Sequence, residues 1–418
     1  MRRTVLGLAL ASLLALGGPA LAEICTIDAV PAATLLVPYF EVKLDDDAGR
    51  TTLFSINNAS SASVLAHVTL WTDWSIPTID FDVYLTGFDV QTFNLRDFFA
   101  TGVLPQTAPD DAFSNLGLFS QPHVVYPGCA GNLPIGHLPP ILRELITQAH
   151  TGQAVSFFGG LCAGQPYGDG IARGYVTIDQ VFACSTLFPN SPGYFGPGGV
   201  AGDLNVLWGD VFYVDPASNF AQGETAVHVE AAPVGFFVPG DYTFYGRYVA
   251  FTAVDQREPL ATTFGTRFVG GTAFDGGTDI LCWRDSKADP NPRVCNTGPP
   301  PPMPLSQTQV VIFDEEENAQ QPIQPPPISP LPPAVDFVPC PIETQRIEVG
   351  EEALETTFSN GWLYLNLNTS TGAPVDPFAQ AWVSTVMSAE DRYSVGLDAI
   401  QFDSACGPNT VILGPPPD

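Results

Sequence analysis

The sequence predicts an all-β, mostly antiparallel protein built as a β-sandwich of the Ig-like or jelly-roll type. Three observations support this fold class: apolar and polar residues alternate between Thr51 and Arg96, many further strand-like segments follow, and only one segment has a helical pattern. Successive side chains of a strand point to opposite faces, so alternation indicates a strand with one buried face. We therefore expect two packed lobes of antiparallel sheet and one short helix.

The first predicted strands follow one another closely. Thr51–Ile56 is followed by a turn at Asn57–Ser61, whose residues favour turn geometry. The next strand places one set of side chains on a dry face and a second set on the opposite face, namely His67, Thr69, Trp71 and Asp73. Ile79–Thr86 and Val90–Leu95 continue the pattern. An antiparallel sheet with one face on a core and the other in water has this alternation.

Strand-like alternation resumes after a long loop-rich stretch. The segments are separated by turn-rich sequence and lack intervening helices, which favours antiparallel sheet over βαβ units. They are Ala154–Phe158, Gly174–Phe182, Asn205–Val214, Ala226–Glu230, Tyr242–Ala253, Ala261–Val269, Gln307–Phe313, Trp362–Asn366, Gln380–Met387 and Tyr393–Phe402.

Several of these blocks resemble a known group of proteins. Thr34–Val42, Gly49–Asn58 and Asp80–Leu85 are similar to the opening of a broad group of secreted bacterial β-rich proteins of unknown function. The likeness continues through later segments, namely Leu187–Phe195, Gly361–Leu367 and Gly396–Ile400, and so covers most of the mature chain. The resemblance implies secretion and a β fold, and it implies no activity.

Residues 1–22 have the pattern of a secretory signal peptide. Arg2 and Arg3 precede an apolar run, and the sequence ending at Ala22 is a typical cleavage site, so the mature chain would begin at Glu23. No later apolar run reaches the roughly 18 residues that a membrane-spanning helix needs. We expect an exported protein, extracellular or periplasmic, without a membrane span.

The composition narrows the possible partners. Asp and Glu number 44 against 15 Lys and Arg, which gives a formal net charge of −29. Phosphate backbones and anionic lipids are bound by clustered basic residues, so nucleic acid is excluded as a partner. With 14% charged and 45% hydrophobic residues, the chain has the composition of a folded protein and not of a disordered acidic one.

Eight cysteines lie in the exported part, and an even number in an oxidising compartment predicts four disulfides. The first predicted pair is Cys282 with Cys295, because the intervening Trp283–Val294 has the composition of a polar loop. The second is Cys340 with Cys406. The remaining four would pair among themselves in an order that stays open: Cys25, Cys129, Cys162 and Cys184.

The predicted organisation has four parts after the signal peptide. An N-terminal β-sandwich (23–120) precedes a second β-rich lobe (121–297), which contains one helix at 139–151 that begins at a Pro pair and ends before Gly152. A Pro-rich segment (298–341) follows, as a spacer or a covering. The C-terminal part (342–418) would pack its strands on the first sandwich and end in a short Pro-rich tail.

Two patterns resemble catalytic or metal motifs and have a simpler explanation. Gly160–Gly164 has the form of a nucleophile elbow with Cys162 at its centre, but the sequence after it does not favour the helix that an elbow requires, so a disulfide explains Cys162 better. The imidazoles of His123, His137 and His150 lack the short spacing of zinc ligands. For His150 we expect a partly cationic ring at the end of the helix. No catalytic residue is identified.

Acidic turns are the candidate metal sites, with Ca²⁺ as the possible cofactor, because calcium takes several oxygen ligands. Asp45 and Asp47 belong to the turn Asp45–Gly49, which departs from the spacing of an EF-hand. A second acidic turn holds Asp314, Glu315 and Glu316, and a third spans Asp275–Asp279. The alternative is that these are solvated turns that protect strand edges.

One constellation is a candidate ligand-binding face. Its residues combine aromatic rings with carboxylates: Trp71, Asp73, Trp74, Asp80, Asp82 and Tyr84. An exposed aromatic ring can stack on the apolar side of a sugar while neighbouring carboxylates bond its hydroxyl groups. The alternative is that these residues form a second packing face.

The leading functional hypothesis is an exported, disulfide-stabilised, non-enzymatic β-sandwich with a structural or binding role. Its partner would be a cell-surface polysaccharide or protein. Calcium-dependent adhesion or carbohydrate binding is one alternative. A hydrolase of extracellular polysaccharide is another, and paired carboxylates about 5 to 10 Å apart in a cleft would favour it. The oligomeric state is left open.

Overall fold

The computed structural model describes residues 24–25, 29–104, 129, 137–286, 293–297, 309–320, 342–351, 354–367, 379–402 and 406. The predicted signal peptide and the C-terminal tail after residue 406 lie outside the described residues. So does most of the Pro-rich segment, of which only residues 309–320 are described.

Strands dominate the described part of the chain. The first twelve, β1 to β12, are Thr34–Lys43, Thr51–Asn58, Val64–Thr72, Pro77–Leu85, Val90–Asn94, Ala154–Val155, Gly160–Leu161, Ile171–Val181, Leu207–Trp208, Asp210–Asp215, Phe220–Thr225 and Val227–Val229. The next nine, β13 to β21, are Thr263–Val269, Thr278–Ser286, Gln309–Phe313, Ala319–Gln320, Thr344–Glu348, Asn360–Asn366, Ala379–Ala389, Tyr393–Asp398 and Ile400–Gln401.

Helical structure is sparse in the same residues. The α-helix α1 spans Pro140–His150, which confirms the predicted helix. A π-helical turn lies at Asp97–Thr101, and two 3₁₀ turns lie at Ser156–Phe158 and Pro216–Ser218. No helix among the described residues is long and apolar enough to cross a membrane.

Two antiparallel sheets form the first sandwich. The inner sheet has the order β12-β1-β8-β3-β4, and the outer sheet has the order β11-β10-β2-β5, with β9 also paired to β2. Side chains from alternate positions of the two sheets, such as Phe54, Ile56, Val68 and Ile178, meet in one hydrophobic core. The predicted antiparallel sandwich is therefore confirmed.

Two further sheets form the second sandwich, with the orders β16-β15-β18-β13-β21 and β17-β14-β19-β20. Its core is separate and contains Phe264, Phe268, Leu363 and Val383. Each further predicted strand overlaps an observed one except Tyr242–Ala253, which forms successive turns. The sequence pattern does not predict the central strand β14, because the C-terminal half of this strand belongs to a stretch with the composition of a polar loop.

The sheets do not follow the predicted division of the chain. Strand β8, from the predicted second lobe, lies between β1 and β3, and β10 pairs with β2. Strands β13 and β14, also from that lobe, pair with the C-terminal strands β18 and β19. The C-terminal strands thus complete the second sandwich and not the first. Such pairings join residues about ninety or more positions apart, which local alternation does not encode.

The inner sheet is covered on both faces. All nine residues of β3 are buried, including the face that the sequence assigned to water. The cover is the turn-rich segment 242–260 together with Trp283 of β14, which pack on Trp71 and Tyr175. A sheet between two apolar layers has no solvated side, so the polar residues on this face must find partners inside the protein.

Three disulfides are present among the described residues: Cys25–Cys406, Cys129–Cys184 and Cys162–Cys295. The predicted pairs Cys282–Cys295 and Cys340–Cys406 were therefore wrong. Cys282 lies buried in the middle of β14, within the core of the second sandwich, whereas Cys295 lies beside the first sandwich. Cys340 lies outside the described residues. The structure thus confirms the explanation of Cys162 as half of a disulfide.

Candidate functional site

The predicted ligand-binding face is buried. Trp71, Asp73, Trp74, Asp82 and Tyr84 are 0%, 1%, 4%, 2% and 7% exposed. The side chain of Asp80 is 12% exposed. The prediction that these residues form an exposed sugar platform was wrong, and the alternative of a second packing face describes them correctly.

Polar atoms of these buried side chains find hydrogen-bond partners within the protein. Trp71 Nε1 donates to Thr177 Oγ1 at 2.8 Å. Asp73 accepts a bond from the Gly164 N–H at 3.0 Å and another from the Tyr167 hydroxyl, so it holds the turn that resembles a nucleophile elbow. Burial raises the pKa of Asp73 to about 6. Asp73 is thus a structural carboxyl group.

His67 lies at the centre of a buried charged group. The prediction of a solvated ring was wrong, because the side chain is 0% exposed. Its Nδ1 is 2.9 Å from Asp82 Oδ1, and its Nε2 is 3.6 Å from Asp80 Oδ2. Burial alone would lower the pKa of His67, but the two carboxylates outweigh it and raise that pKa. The ring of His67 is a structural link between β3 and β4.

The first acidic turn already holds a cation, the guanidinium of Arg96. Its Nη1 donates to the carbonyl oxygens of Lys43 and Asp46, each at 2.7 Å. Its Nη2 donates to those of Gly49 at 2.7 Å and Arg50 at 2.9 Å. Oxygen atoms that converge in this way resemble the ligands of calcium. Arg96 therefore occupies the point on which the carbonyl oxygens of this turn converge.

The other acidic turns use their carboxylates locally. Asp314 accepts bonds from the backbone N–H groups of Glu316 and Asn318 at 3.0 and 2.8 Å, and Glu315 pairs with Arg267. Asp275 pairs with Arg392 at 2.7 Å. In the part of the chain that the structure describes, no three His, Cys, Asp or Glu residues are gathered so as to hold a metal ion.

The histidines also lie apart. His137 is exposed next to the π-helical turn, and His123 lies outside the described residues. His150 is buried between the rings of Phe40 and Phe99. Burial lowers the pKa of His150 to about 4, so the ring is neutral near pH 7, and the prediction of a partly cationic ring at the helix end was wrong.

An exposed aromatic surface lies elsewhere, on the outer face of the outer sheet. Trp208 and Phe212 are 42% and 43% exposed. Val211 and Tyr213, which flank Phe212 in the sequence, point into the core. Asp210 lies between the two rings on the same face, because alternate residues of a strand share a face. The chain therefore presents ring, carboxylate and ring in succession to solvent.

The register extends this surface across the sheet, because residues directly opposite on neighbouring strands share a face. Phe212 is opposite Leu53, which is opposite Asn94. Trp208 is opposite Asn57, which is opposite Val90. Between these two rows lie Ser55 and Thr92, which face each other. We call this set of residues on β2, β5, β9 and β10 the outer-sheet face.

Neighbouring residues hold the backbone of Trp208 and the ring of Phe212. Asn57 Nδ2 donates to the carbonyl oxygen of Trp208 at 3.2 Å and to Ser55 Oγ at 2.9 Å, so it anchors the backbone of β9 to β2. Phe212 lies over Gly223 of β11, where an added Cβ would come within 2.3 Å of its ring. The glycine makes room for the ring, so its orientation depends on β11.

A groove of about 810 Å³ opens at this face and continues past the edge strand β5. Its volume lies within the range of sites that bind small ligands. Polar groups on its walls include Gln91, Thr92, Asn94, Asp97 and Asp210. No lysine or arginine is among the described residues that line it. The groove therefore combines aromatic rings with uncharged or negative hydrogen-bonding groups.

The sequence contained a signal for this surface that was not used. Asn205–Val214 was predicted as a strand, and its alternation places Trp208, Asp210 and Phe212 together on the side opposite the core. Large aromatic residues at the polar positions of an amphipathic strand indicate a binding surface more directly than the aromatic residues of β3, which lie on a sheet covered on both sides.

A glycosidase would need two carboxyl groups paired across a cleft, and one pair of interacting carboxyl groups in the described part of the chain can be compared with that requirement. Glu224 of β11 and Asp398 of β20 share a hydrogen bond directly. Carboxyl groups of glycosidases lie about 5 Å or more apart so that the scissile bond fits between them. This pair therefore does not have the separation of a glycosidase site.

Comparisons with known proteins add no function: no family model matches the chain, and no curated protein or solved structure is significantly similar to it. The fold and the outer-sheet face must therefore be interpreted from the residues themselves.

Proposed function

We propose that this protein is an exported, disulfide-stabilised β-sandwich that binds a neutral polysaccharide on the outer-sheet face. The observation that carries the proposal is the placement of Trp208 and Phe212, both close to half exposed, on one face with Asp210 between them. At about 3.3 Å per residue, the two positions are roughly 13 Å apart along the strand. That separation leaves room for a chain of sugar rings that contacts both aromatic side chains.

The chemistry of the face matches that class of ligand. A sugar ring has an apolar side of C–H groups that packs on an aromatic ring, and hydroxyl groups at its rim that bond amides, hydroxyls and carboxylates. Asn94, Thr92 and Asp210 supply such groups beside the rings. The formal net charge of −29 opposes binding of uronic-acid or sulfated polymers.

Three disulfides among the described residues support export, because such bonds persist in oxidising compartments. The signal-peptide pattern of residues 1–22 agrees with this. A disulfide-linked scaffold with a well-packed core that presents one exposed aromatic face is suited to binding. We assign no catalytic step to this protein.

Affinity gel electrophoresis of the oxidised mature chain tests the proposal, with soluble mixed-linkage β-glucan as the neutral polymer and alginate as the anionic one. We expect retardation by the glucan and none by alginate. Trp208→Ala should weaken the interaction about tenfold or more, since a central aromatic contact commonly contributes over 1 kcal/mol. Trp362→Ala, which truncates a tryptophan 36% exposed on the second sandwich, is the matched control.

Three outcomes would contradict the proposal. They are retardation of wild type and Trp208→Ala to the same degree, equal loss of binding in the Trp362→Ala control, and the absence of retardation by glucan. Release of reducing ends from the glucan by the wild-type chain would instead favour the hypothesis that the protein is a hydrolase.

A further inference from the structure

The two sandwiches meet edge to edge at a place that the proposed binding surface does not use. Strand β11 is an edge of the outer sheet, and β20 is an edge of the second sandwich. Ser394 Oγ donates to the carbonyl oxygen of Ala221 at 2.7 Å and accepts from its N–H at 3.2 Å. Gln222 Nε2 donates to the carbonyl oxygen of Thr385 at 3.1 Å. These bonds connect the two sandwiches without a regular ladder.

A pair of carboxyl groups lies at the same junction. Glu224 is opposite Val211 in the ladder, so its side chain points to the core side of the outer sheet, where the second sandwich lies. Asp398 belongs to the second sandwich, where it is opposite Ser384 of β19. From there it faces Glu224 of the first sandwich. Gln222 Nε2 donates both to Glu224 and to the carbonyl oxygen of Thr385, and Thr385 and its neighbour Ser384 are opposite Leu397 and Asp398, so the carboxyl of Glu224 lies within hydrogen-bonding reach of Asp398. Two carboxylates at such a distance repel each other unless one of them carries a proton.

We propose that one proton shared by Glu224 and Asp398 holds the two sandwiches together at this junction, and that its loss in alkaline solution loosens the contact between β11 and β20. The protonated carboxyl of Glu224 donates to the carboxylate of Asp398. After deprotonation the pair carries two negative charges, one on the half-buried Glu224 and one on the exposed Asp398, and the bond between the sandwiches becomes a repulsion.

The neighbouring groups favour this assignment. Burial and the charge of Asp398 raise the pKa of Glu224 to about 8, and burial also raises the pKa of Asp398. The facing elements contribute Gln222, whose amide donates to Glu224, and the phenol of Tyr213 on β10, whose pKa is raised well above its usual value by burial and by these acids. Ser384 on β19 adds a hydroxyl group. None of these side chains brings a positive charge to the pair.

The sign of the pH dependence follows from linkage. Glu224 titrates near its ordinary value of 4.5 in the unfolded chain and near 8 in the folded protein. Between these values the folded protein binds the additional proton, so its stability falls as pH rises. The loss begins above about pH 4.5 and is complete near pH 8, above which both states are ionised.

The test is thermal unfolding of the oxidised mature chain from pH 5 to pH 9, comparing wild type with Glu224→Gln. The glutamine amide keeps a donor toward Asp398 and carries no charge at any pH. We expect the melting temperatures to agree near pH 5 and the variant to melt at least about 2 °C higher near pH 9. Amide exchange, corrected for intrinsic rates, should show that β11 and β20 of wild type lose protection between pH 7 and pH 9.

The matched control is Glu315→Gln, which removes an exposed carboxylate elsewhere on the second sandwich and should follow the wild-type curve. Asp398→Asn removes the other partner and should flatten the pH dependence in the same way, which keeps the test decisive if Glu224→Gln does not fold. Parallel curves for wild type and both junction variants would overturn the proposal. So would stabilisation of wild type by calcium at pH 9 that Glu224→Gln abolishes, because a cation and not a proton would then hold the pair.

Discussion

Arg346 of the second sandwich reaches into the first and places its Nη1 2.6 Å from Glu41 Oε1. The same guanidinium binds Asp279 of β14, and Glu41 also pairs with Arg50 at 2.8 Å. Burial alone would raise the pKa of Glu41, but Arg346 and Arg50 lower it below its ordinary value of 4.5. A partly buried charge network, and not only apolar contact, therefore joins the two sandwiches.

Removal of this link should destabilise the protein measurably. Arg346→Met removes the ion pair with Asp279 and leaves Glu41 with Arg50 and the hydroxyl of Tyr39, so we expect a loss of about 1–3 kcal/mol in the free energy of unfolding, below the full effect of breaking a buried pair. Urea unfolding at pH 7 measures it. The control Arg267→Met breaks an exposed pair with Glu315 and should change stability by less than about 0.5 kcal/mol.

The same pair makes an acid-side prediction. The pKa of Glu41 is depressed in the folded state, so its contribution is present above pH 4.5 and is lost as pH falls through the folded value. The difference between wild type and Arg346→Met should therefore shrink below pH 4. A difference that stays constant down to pH 3 would show that packing of the Arg346 stem, and not charge, stabilises the junction.

Calcium should not stabilise this protein through the Asp45–Gly49 turn. Arg96 already satisfies four of its carbonyl oxygens. We expect the melting temperature of wild type at pH 7 to be the same in millimolar calcium and in a chelator. Arg96→Ala should lose about 1–3 kcal/mol, because several charge-assisted hydrogen bonds disappear. The control Arg392→Ala removes an exposed guanidinium and should have little effect. A calcium-dependent rise in wild type that Arg96→Ala does not alter would place calcium elsewhere.

The buried ion pairs of His67 should make the stability of the folded protein depend on pH near neutrality. Its pKa is raised above 6.5 in the folded state, so the stability that it contributes is complete below pH 6.5 and is lost as pH rises through the folded value. Wild type should exceed His67→Asn in stability at pH 5.5 and approach it in alkaline solution. Unfolding curves over this range measure the difference. Substitution of the exposed His137 by asparagine should leave a curve parallel to wild type, and a parallel curve for His67→Asn would contradict the assignment.

The Cys162–Cys295 disulfide should contribute substantially to stability. It joins residues 133 positions apart and lies in a small core with Trp74 and Ala149. Replacing both cysteines by alanine should cost about 2–5 kcal/mol, since the cross-link restricts a long loop in the unfolded chain. Peptide mapping without reduction should recover this pair together with Cys25–Cys406 and Cys129–Cys184. A peptide that links Cys282 to Cys295 would show the observed connectivity to be incorrect.

Local pattern predicted most of the elements, although it missed β14 and wrongly predicted a strand at Tyr242–Ala253, and it was insufficient for the candidate site. The alternation of β3 correctly predicted a strand, yet it assigned Trp71 to water, because period-two alternation does not say what lies beyond the second face. The cover is segment 242–260, whose own pattern was interpreted as a strand. Trp208 and Phe212 were within a correctly predicted strand, and its alternation places them on one face, but only the tertiary structure shows that this face is open to solvent.

The sequence by itself determined where most of the strands and the helix α1 form and that the fold is an antiparallel sandwich, because side-chain periodicity and turn residues act over a few neighbouring positions. Tertiary structure decided which strands pair, which faces are covered and which cysteines join. Those choices depend on the meeting of distant residues, such as Cys25 with Cys406 across 381 positions or Glu41 with Arg346. Their free energies come from burial and charge in the assembled protein, which no single segment contains.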